Sequence, residues 1–303
     1  MRRRKAAEGR KNRETDEVKR INKEKGTDGE QEMGREKINE TGMGNLILVN
    51  ADHGYKGGKE GLVRFPGTEV FLKEDAAKWL KKLLSTLPAG EIVLVSGYRP
   101  FQEQTEIFED SVKENGMEFT KKYVAKPGCS EHQTGLAIDL GKKAEAIDFI
   151  RPAFPYEGVC QTFRERAADY GFIERYERDK EEVTGISAEQ WHFRYVGRPH
   201  GWIIKEKGLA LEEYITYLRQ FDDCENPLHF RYFGNEYEIY FQSAEEEGPL
   251  PVKFHDGKFQ EELKRGQLAG TSEGWRITIS GNNVDGWIIT KEKPGREETG
   301  REG

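Results

Sequence analysis

The chain is short of cysteine, of long apolar runs and of surplus positive charge, and each shortage removes a class of protein. Three cysteines in 303 residues, Cys129, Cys160 and Cys224, are odd in number and irregularly spaced. They lay out no disulfide framework and fit a reducing compartment, and they cannot supply the Cys-rich quartet of a structural zinc site. No apolar run reaches the roughly 20 residues that cross a bilayer. Met1-Arg2-Arg3-Arg4-Lys5 resembles the charged opening of an export signal, yet no apolar stretch follows it, so that reading fails. A cytoplasmic protein is expected as the chain is written, or one at the cell envelope if an upstream anchor precedes it. A net charge of −7 argues against a nucleic-acid binder, which carries a concentrated basic face.

Polarity is high, with 34% charged residues and a mean hydropathy of −0.84, but it is unevenly spread. Residues 1–42 hold scarcely any apolar side chains and read as a disordered charged tail, because such a segment cannot bury enough surface to offset chain entropy. Order is expected from the apolar run Leu46–Val49. Ala77, Leu80, Leu83, Leu84 and Leu87 then share a helical face that Pro88-Ala89-Gly90 ends. Ile92–Val95 reads as a buried strand delivering Ser96-Gly97-Tyr98-Arg99, and Pro100 suits the first position of a following helix. Leu136–Leu140 and Phe193–Gly197 read as strands, Phe163–Tyr170 as a helix capped by Gly171, and Leu211–Phe221 as an amphipathic helix. Past Cys224 the pattern turns to strands, with a hairpin expected around Gly281–Gly286.

Helices and strands alternate without the regular spacing of a doubly wound sheet, which favours an α+β fold. The expectation is a small antiparallel sheet carrying the functional site, flanked by helices, with a C-terminal β-rich appendage. The boundaries drawn are a tail over 1–42, a main domain over 43–223, a β-rich unit over 224–292 and a loose end over 293–303.

The chemistry sits in two short segments: Ser130-Glu131-His132-Gln133-Thr134-Gly135-Leu136-Ala137-Ile138-Asp139 and, some fifty residues later, Glu189-Gln190-Trp191-His192. They offer two imidazoles, a carboxylate to complete a metal site and a second carboxylate left free. Three N/O ligands with one position open to water make a catalytic rather than a structural zinc. His132 and Asp139 are seven residues apart, and a turn at Thr134-Gly135 followed by one strand can bring them to a common face. A lone histidine is usually an ordinary polar residue; here its neighbours change that reading.

Glu189, three residues before His192 and expected in a loop or turn, can take a proton from the attacking water and pass it to the leaving amine. Arg99, at a strand end, can stabilise an oxyanion or hold a substrate carboxylate. Gln104 and Ser130 can hydrogen-bond substrate. Cys129 and Ser130 are rejected as nucleophiles, since His132 cannot serve well as both metal ligand and base, and Trp191 is expected to pack beside the site.

Together, Ser96-Gly97-Tyr98-Arg99, Ser130-x-His132-x6-Asp139 and Glu189-x-x-His192, with the stretch from Gly171-Phe172-Ile173 to Val196-Gly197, resemble the zinc D-alanyl-D-alanine carboxypeptidases of the vancomycin-resistance type. These belong to a wider group with lysostaphin-like peptidases and the hedgehog signalling domain, and the resemblance spans residues 45–221. It implies one zinc per chain held by His132, Asp139 and His192, Glu189 as base, Arg99 at the oxyanion, and Gln104 and Ser130 near the substrate's terminal carboxylate. The substrates it implies are peptidoglycan precursor peptides ending in D-Ala-D-Ala. Two alternatives share these residues: a zinc-stabilised module that binds wall peptides without cutting them, and an endopeptidase acting on wall cross-links.

Overall fold

In the computed structural model the described residues are 42–222, 224–244, 269–272 and 274–295. The charged tail up to residue 41, the stretch 245–268 inside the expected β-rich unit, and the end of the chain from residue 296 lie outside them. Strands β1 (Leu62–Arg64) and β2 (Phe71–Lys73) pair antiparallel and lead into helix α1 (Glu74–Leu84). This helix carries acidic residues in its first turn and lysines in its last, matching the helix dipole at both ends, and it buries Ala76, Ala77, Leu80 and Leu83. Leu87 is buried too, but in the turn that follows rather than in the helix.

The site is built on a four-stranded antiparallel sheet in the order β3 (Ile92–Ser96), β4 (Ala137–Lys142), β6 (Glu189–Tyr195), β5 (Phe172–Tyr176). Alternation sorts its two faces. Ile138 and Leu140 of β4, and Phe193 and Tyr195 of β6, join the apolar core under α1 and α4 (Gly158–Ala167), where Phe154, Phe163 and Phe193 meet edge to face. Asp139, His192 and Arg194 fall on the opposite face. The run Ile92–Val95 is half-buried rather than buried; β3 is an edge strand with β4 as its only sheet neighbour.

Two further helices, α2 (Phe101–Asn115) and α3 (Met117–Tyr123), follow β3. Pro100 caps α2 from outside instead of occupying its first position. The helix read from Phe163 begins earlier, at Gly158, and ends through a short 3-10 turn at Gly171 (φ 82°). A Cβ on Gly171 would meet the Gly197 carbonyl carbon at 2.8 Å, so both the left-handed backbone and the close approach require glycine. Short α5 (Glu181–Thr184) precedes β6, and α6 (His200–Lys207) and α7 (Leu211–Leu218) follow it.

The C-terminal region forms a five-stranded antiparallel sheet in the order β7 (Leu228–Tyr232), β8 (Asn235–Ser243), β11 (Gly286–Lys293), β10 (Trp275–Gly281), β9 (Ala269–Ser272). The expected hairpin is β10–β11, with Asn282 Oδ1 accepting the backbone N–H groups of Val284, Asp285 and Gly286 across the turn. This sheet shares a core with the first unit. Ile239 and Ile288 pack with Leu46, Leu48, Ile173, Val196, Leu211 and Tyr214. The buried imidazole of His200 joins α6 to α7 and β11, with Nδ1 2.8 Å from the Tyr214 hydroxyl and Nε2 3.0 Å from Thr290 Oγ1. Leu46–Val49 is buried but forms no strand; Leu46 N donates to Ser280 Oγ and Leu48 N to the Asn282 carbonyl. Among the described residues no helix is long and apolar enough to cross a membrane.

Candidate active site

Register places the metal-type ligands before any side chain is considered. Asp139 pairs directly with His192 across β4 and β6, and with Ser96 across β4 and β3. Opposed residues in such a pair hold their Cβ atoms roughly 4.5–5.5 Å apart, so two donors converge by strand pairing alone. His132 arrives from outside the sheet, on a single 3-10 turn over Glu131–Thr134. That turn ends at Gly135 (φ 72°), where a Cβ would lie 2.5 Å from Leu62 Cδ2. The left-handed residue drops the chain from the turn into β4 and aims His132 at Asp139.

The three side chains are buried and their donor atoms lie within 4.8 Å of one another. His132 Nε2 is 3.1 Å from Asp139 Oδ2, and His192 Nδ1 is 3.1 Å from Asp139 Oδ1. The imidazole rings stand nearly perpendicular, centroids 4.9 Å apart. His132 Nδ1 lies 2.6 Å from the Gly97 carbonyl, which accepts a hydrogen bond from Nδ1–H and leaves Nε2 free on the Asp139 side. This donor set fits a zinc ion: two imidazole nitrogens and one hard carboxylate within ligand distance of one another.

Electrostatics agrees. Burial alone would raise the Asp139 carboxyl, but His132 and His192 outweigh it and hold the group well below the usual carboxylate range. Burial opposes a charge on His192, yet the carboxylates of Asp139 and Glu131 beside it push it up to about 9. His132 is lowered, chiefly by burial and against the pull of Asp139. In the metal-free protein the site therefore holds a proton on His192 that a bound metal would displace.

Glu189 opens β6 rather than lying in a loop, and pairs with Tyr176 of β5. Its Oε2 is 3.7 Å from His192 Nδ1, and its side chain keeps 14% exposure. Burial raises its pKa to about 7; His192 opposes the shift and Asp139 reinforces it. A carboxylate poised there can both take and return a proton. Arg99 reaches in from β3's end, with Nη2 3.8 Å from Asp139 Oδ2 and 3.1 Å from Ser96 Oγ. Gln104 is buried on α2 and holds Arg99: its Oε1 accepts from Nη1 at 2.9 Å while its amide donates to the Ala125 carbonyl. Ser130 is buried just before the 3-10 turn, and Trp191 packs half-buried against the first core. Of the seven residues singled out from the sequence, His132, Asp139, His192, Glu189 and Arg99 are thus brought together, Gln104 joins them through Arg99, and Ser130 immediately precedes the turn that carries His132.

Glu131 was not among them. Its carboxylate is wholly enclosed between Arg175 and Arg194 and faces His192. The available signal was Arg194, which shares its strand face with His192 and, as an inward charge, needs a partner.

The sequence profile of the D-alanyl-D-alanine carboxypeptidase family (VanY) matches residues 69–198. The bifunctional D-Ala-D-Ala dipeptidase and D-Ala-D-Ala carboxypeptidase VanXYC of Enterococcus gallinarum is 46% identical over 184 residues, 59% of this chain and 97% of that protein. A D-alanyl-D-alanine carboxypeptidase of Enterococcus faecium is 29% identical over 265 residues, covering 82% of this chain and 75% of its own. Among solved structures, the vancomycin-resistance D,D-dipeptidase VanXYg in complex with a D-Ala-D-Ala phosphinate analogue superposes with a TM-score of 0.73 at 42% identity, covering 84% of this chain and 96% of that one. Fold and site define a peptidase of the mixed α and antiparallel-β kind. The chain belongs to the D-alanyl-D-alanine carboxypeptidase family.

Proposed function

We propose that the chain is a zinc-dependent D,D-carboxypeptidase that hydrolyses the terminal D-Ala-D-Ala bond of peptidoglycan precursor peptides, and that it also splits the free dipeptide. The observation that carries this reading is the convergence of His132 Nε2, Asp139 and His192 Nδ1 beside a carboxylate, Glu189, that is not needed as a ligand. The bifunctional relative supports the dual substrate range.

His132, Asp139 and His192 would hold one zinc. The ion supplies Lewis-acid polarisation and makes water acidic enough near pH 7 for a carboxylate to deprotonate it. Glu189 takes that proton as water adds to the last peptide carbonyl, then returns it to the amine of the departing D-alanine as the C–N bond breaks. Arg99, fixed by Ser96 and Gln104, presents its guanidinium to the oxygen that gains charge. Ser130 serves the terminal carboxylate of the substrate. A module that only binds wall peptides has no use for a poised Glu189, which favours catalysis over binding.

The test is release of D-alanine from a peptide ending in D-Ala-D-Ala by metal-loaded protein, with and without chelator, beside the free dipeptide. Release that chelator abolishes is expected. No release from zinc-loaded, folded protein would overturn the assignment.

A further inference from the structure

Glu131 has no part in the chemistry above, yet its side chain has no exposed surface. Two arginines equally enclosed donate to one of its oxygens: Arg175 Nε at 2.9 Å and Arg194 Nη1 at 2.8 Å, both to Oε1. The second oxygen, Oε2, faces His192 Nε2 at 3.5 Å, and these two atoms have no other polar partner in their buried surroundings. The arginines are themselves held from behind. Arg175 forks onto Glu212 of α7 at 2.9 and 2.7 Å, and Arg194 reaches the carbonyls of Asn45, Ile47 and Tyr195. A buried cluster of charges is weak evidence for stability, because desolvation cancels most of the attraction.

We propose that Glu131 is a positioning residue that keeps the proton of His192 on Nε2 and so leaves the Nδ1 lone pair for the metal that Asp139 and His132 would share. The inference rests on His132, Asp139 and His192 being the ligands. It gives both imidazoles the same arrangement by different means. His132 donates its Nδ1–H to the Gly97 carbonyl, and His192 points its Nε2–H at Glu131 Oε2. Acceptors behind metal-binding histidines fix tautomer and orientation, and losing one typically costs about 10–100-fold in metal affinity.

The geometry makes Glu131→Gln a sharp perturbation. Two arginine donors already converge on Oε1, so a glutamine keeps its oxygen there and turns its NH2 toward His192 Nε2. Donor then faces donor, and relief requires the imidazole proton to move to Nδ1, the metal side. Glu131→Asp keeps the charge between the arginines but withdraws it from His192 by one methylene.

Zinc affinity should be measured by chelator competition on the wild type and both variants, with folding followed by circular dichroism. The expected result is a loss of about 10–100-fold for Glu131→Gln and about 10-fold for a well-folded Glu131→Asp. Wild-type affinity in either folded variant would overturn the proposal. If neither variant folds, the wild type decides it. In cadmium-113-loaded protein with nitrogen-15 histidine, the metal should couple to His192 Nδ1 while Nε2 carries a slowly exchanging proton. Coupling to Nε2, or a freely exchanging proton there, would overturn it. A wild-type chain that binds no metal would sink the ligand set itself, and with it the role of Glu131.

Discussion

Glu189 should tax the stability of the metal-free protein, and the tax should depend on pH. Its pKa is raised from 4.5 to about 7 in the fold, mainly by burial and further by Asp139, against the pull of His192. The folded chain therefore holds the proton more tightly than the unfolded chain. The stability this supplies is fully present below about pH 4.5 and is lost as pH rises through 7. At about 1.4 kcal/mol per pKa unit, the loss approaches roughly 3 kcal/mol above pH 8. Glutamine has the same shape and nothing to ionise.

Metal-free Glu189→Gln should therefore gain on the wild type by about 3 kcal/mol between pH 5 and pH 9, or about 6–12 °C in melting temperature. Urea unfolding in the presence of chelator at pH 5, 7 and 9 measures it. In zinc-loaded protein the gain should shrink, because a neighbouring dication favours the ionised carboxylate. A difference between variant and wild type that is the same at pH 5 and pH 9, or that reverses in sign, would refute the argument.

Two further outcomes follow from the geometry. His132→Ala and His192→Ala should each lose the single zinc expected per chain, read by metal analysis after dialysis; full occupancy in both would refute the ligand set. Ile239 lies in the core shared by the C-terminal sheet and α7, so Ile239→Ala should cost about 2–5 kcal/mol and lower the melting of the whole chain in one transition; an unchanged peptidase transition would show that the two units unfold independently.

Much of the candidate site could be read from the chain because its parts obey local rules. The alternation Ile138-Asp139-Leu140 and His192-Phe193 states which side chain leaves the core, and strand pairing does the rest. The 3-10 turn beneath His132 shows in the sequence only as a turn near Thr134-Gly135, since a single turn of helix leaves no periodicity to detect. What depended on sheet order was not legible: β3 lies at an edge of its sheet and is half-buried, and a β-branched run looks the same at an edge or a centre. Glu131 was hidden for a related reason. Its partners Arg175 and Arg194 stand 44 and 63 residues away, and beside His132 it reads as one more polar residue. Likewise, the strand-rich texture past Cys224 suggested an appendage, while the apolar surface it shares with Leu46, Leu48 and α7 emerges only on folding.

The most direct test of the account is turnover of a D-Ala-D-Ala-ending peptide by Glu189→Gln at full zinc occupancy. The account predicts zinc content and peptide affinity close to wild type, with turnover lower by about 10²–10⁴-fold, the usual worth of a positioned general base. Turnover near the wild-type rate, with zinc still bound, would contradict it.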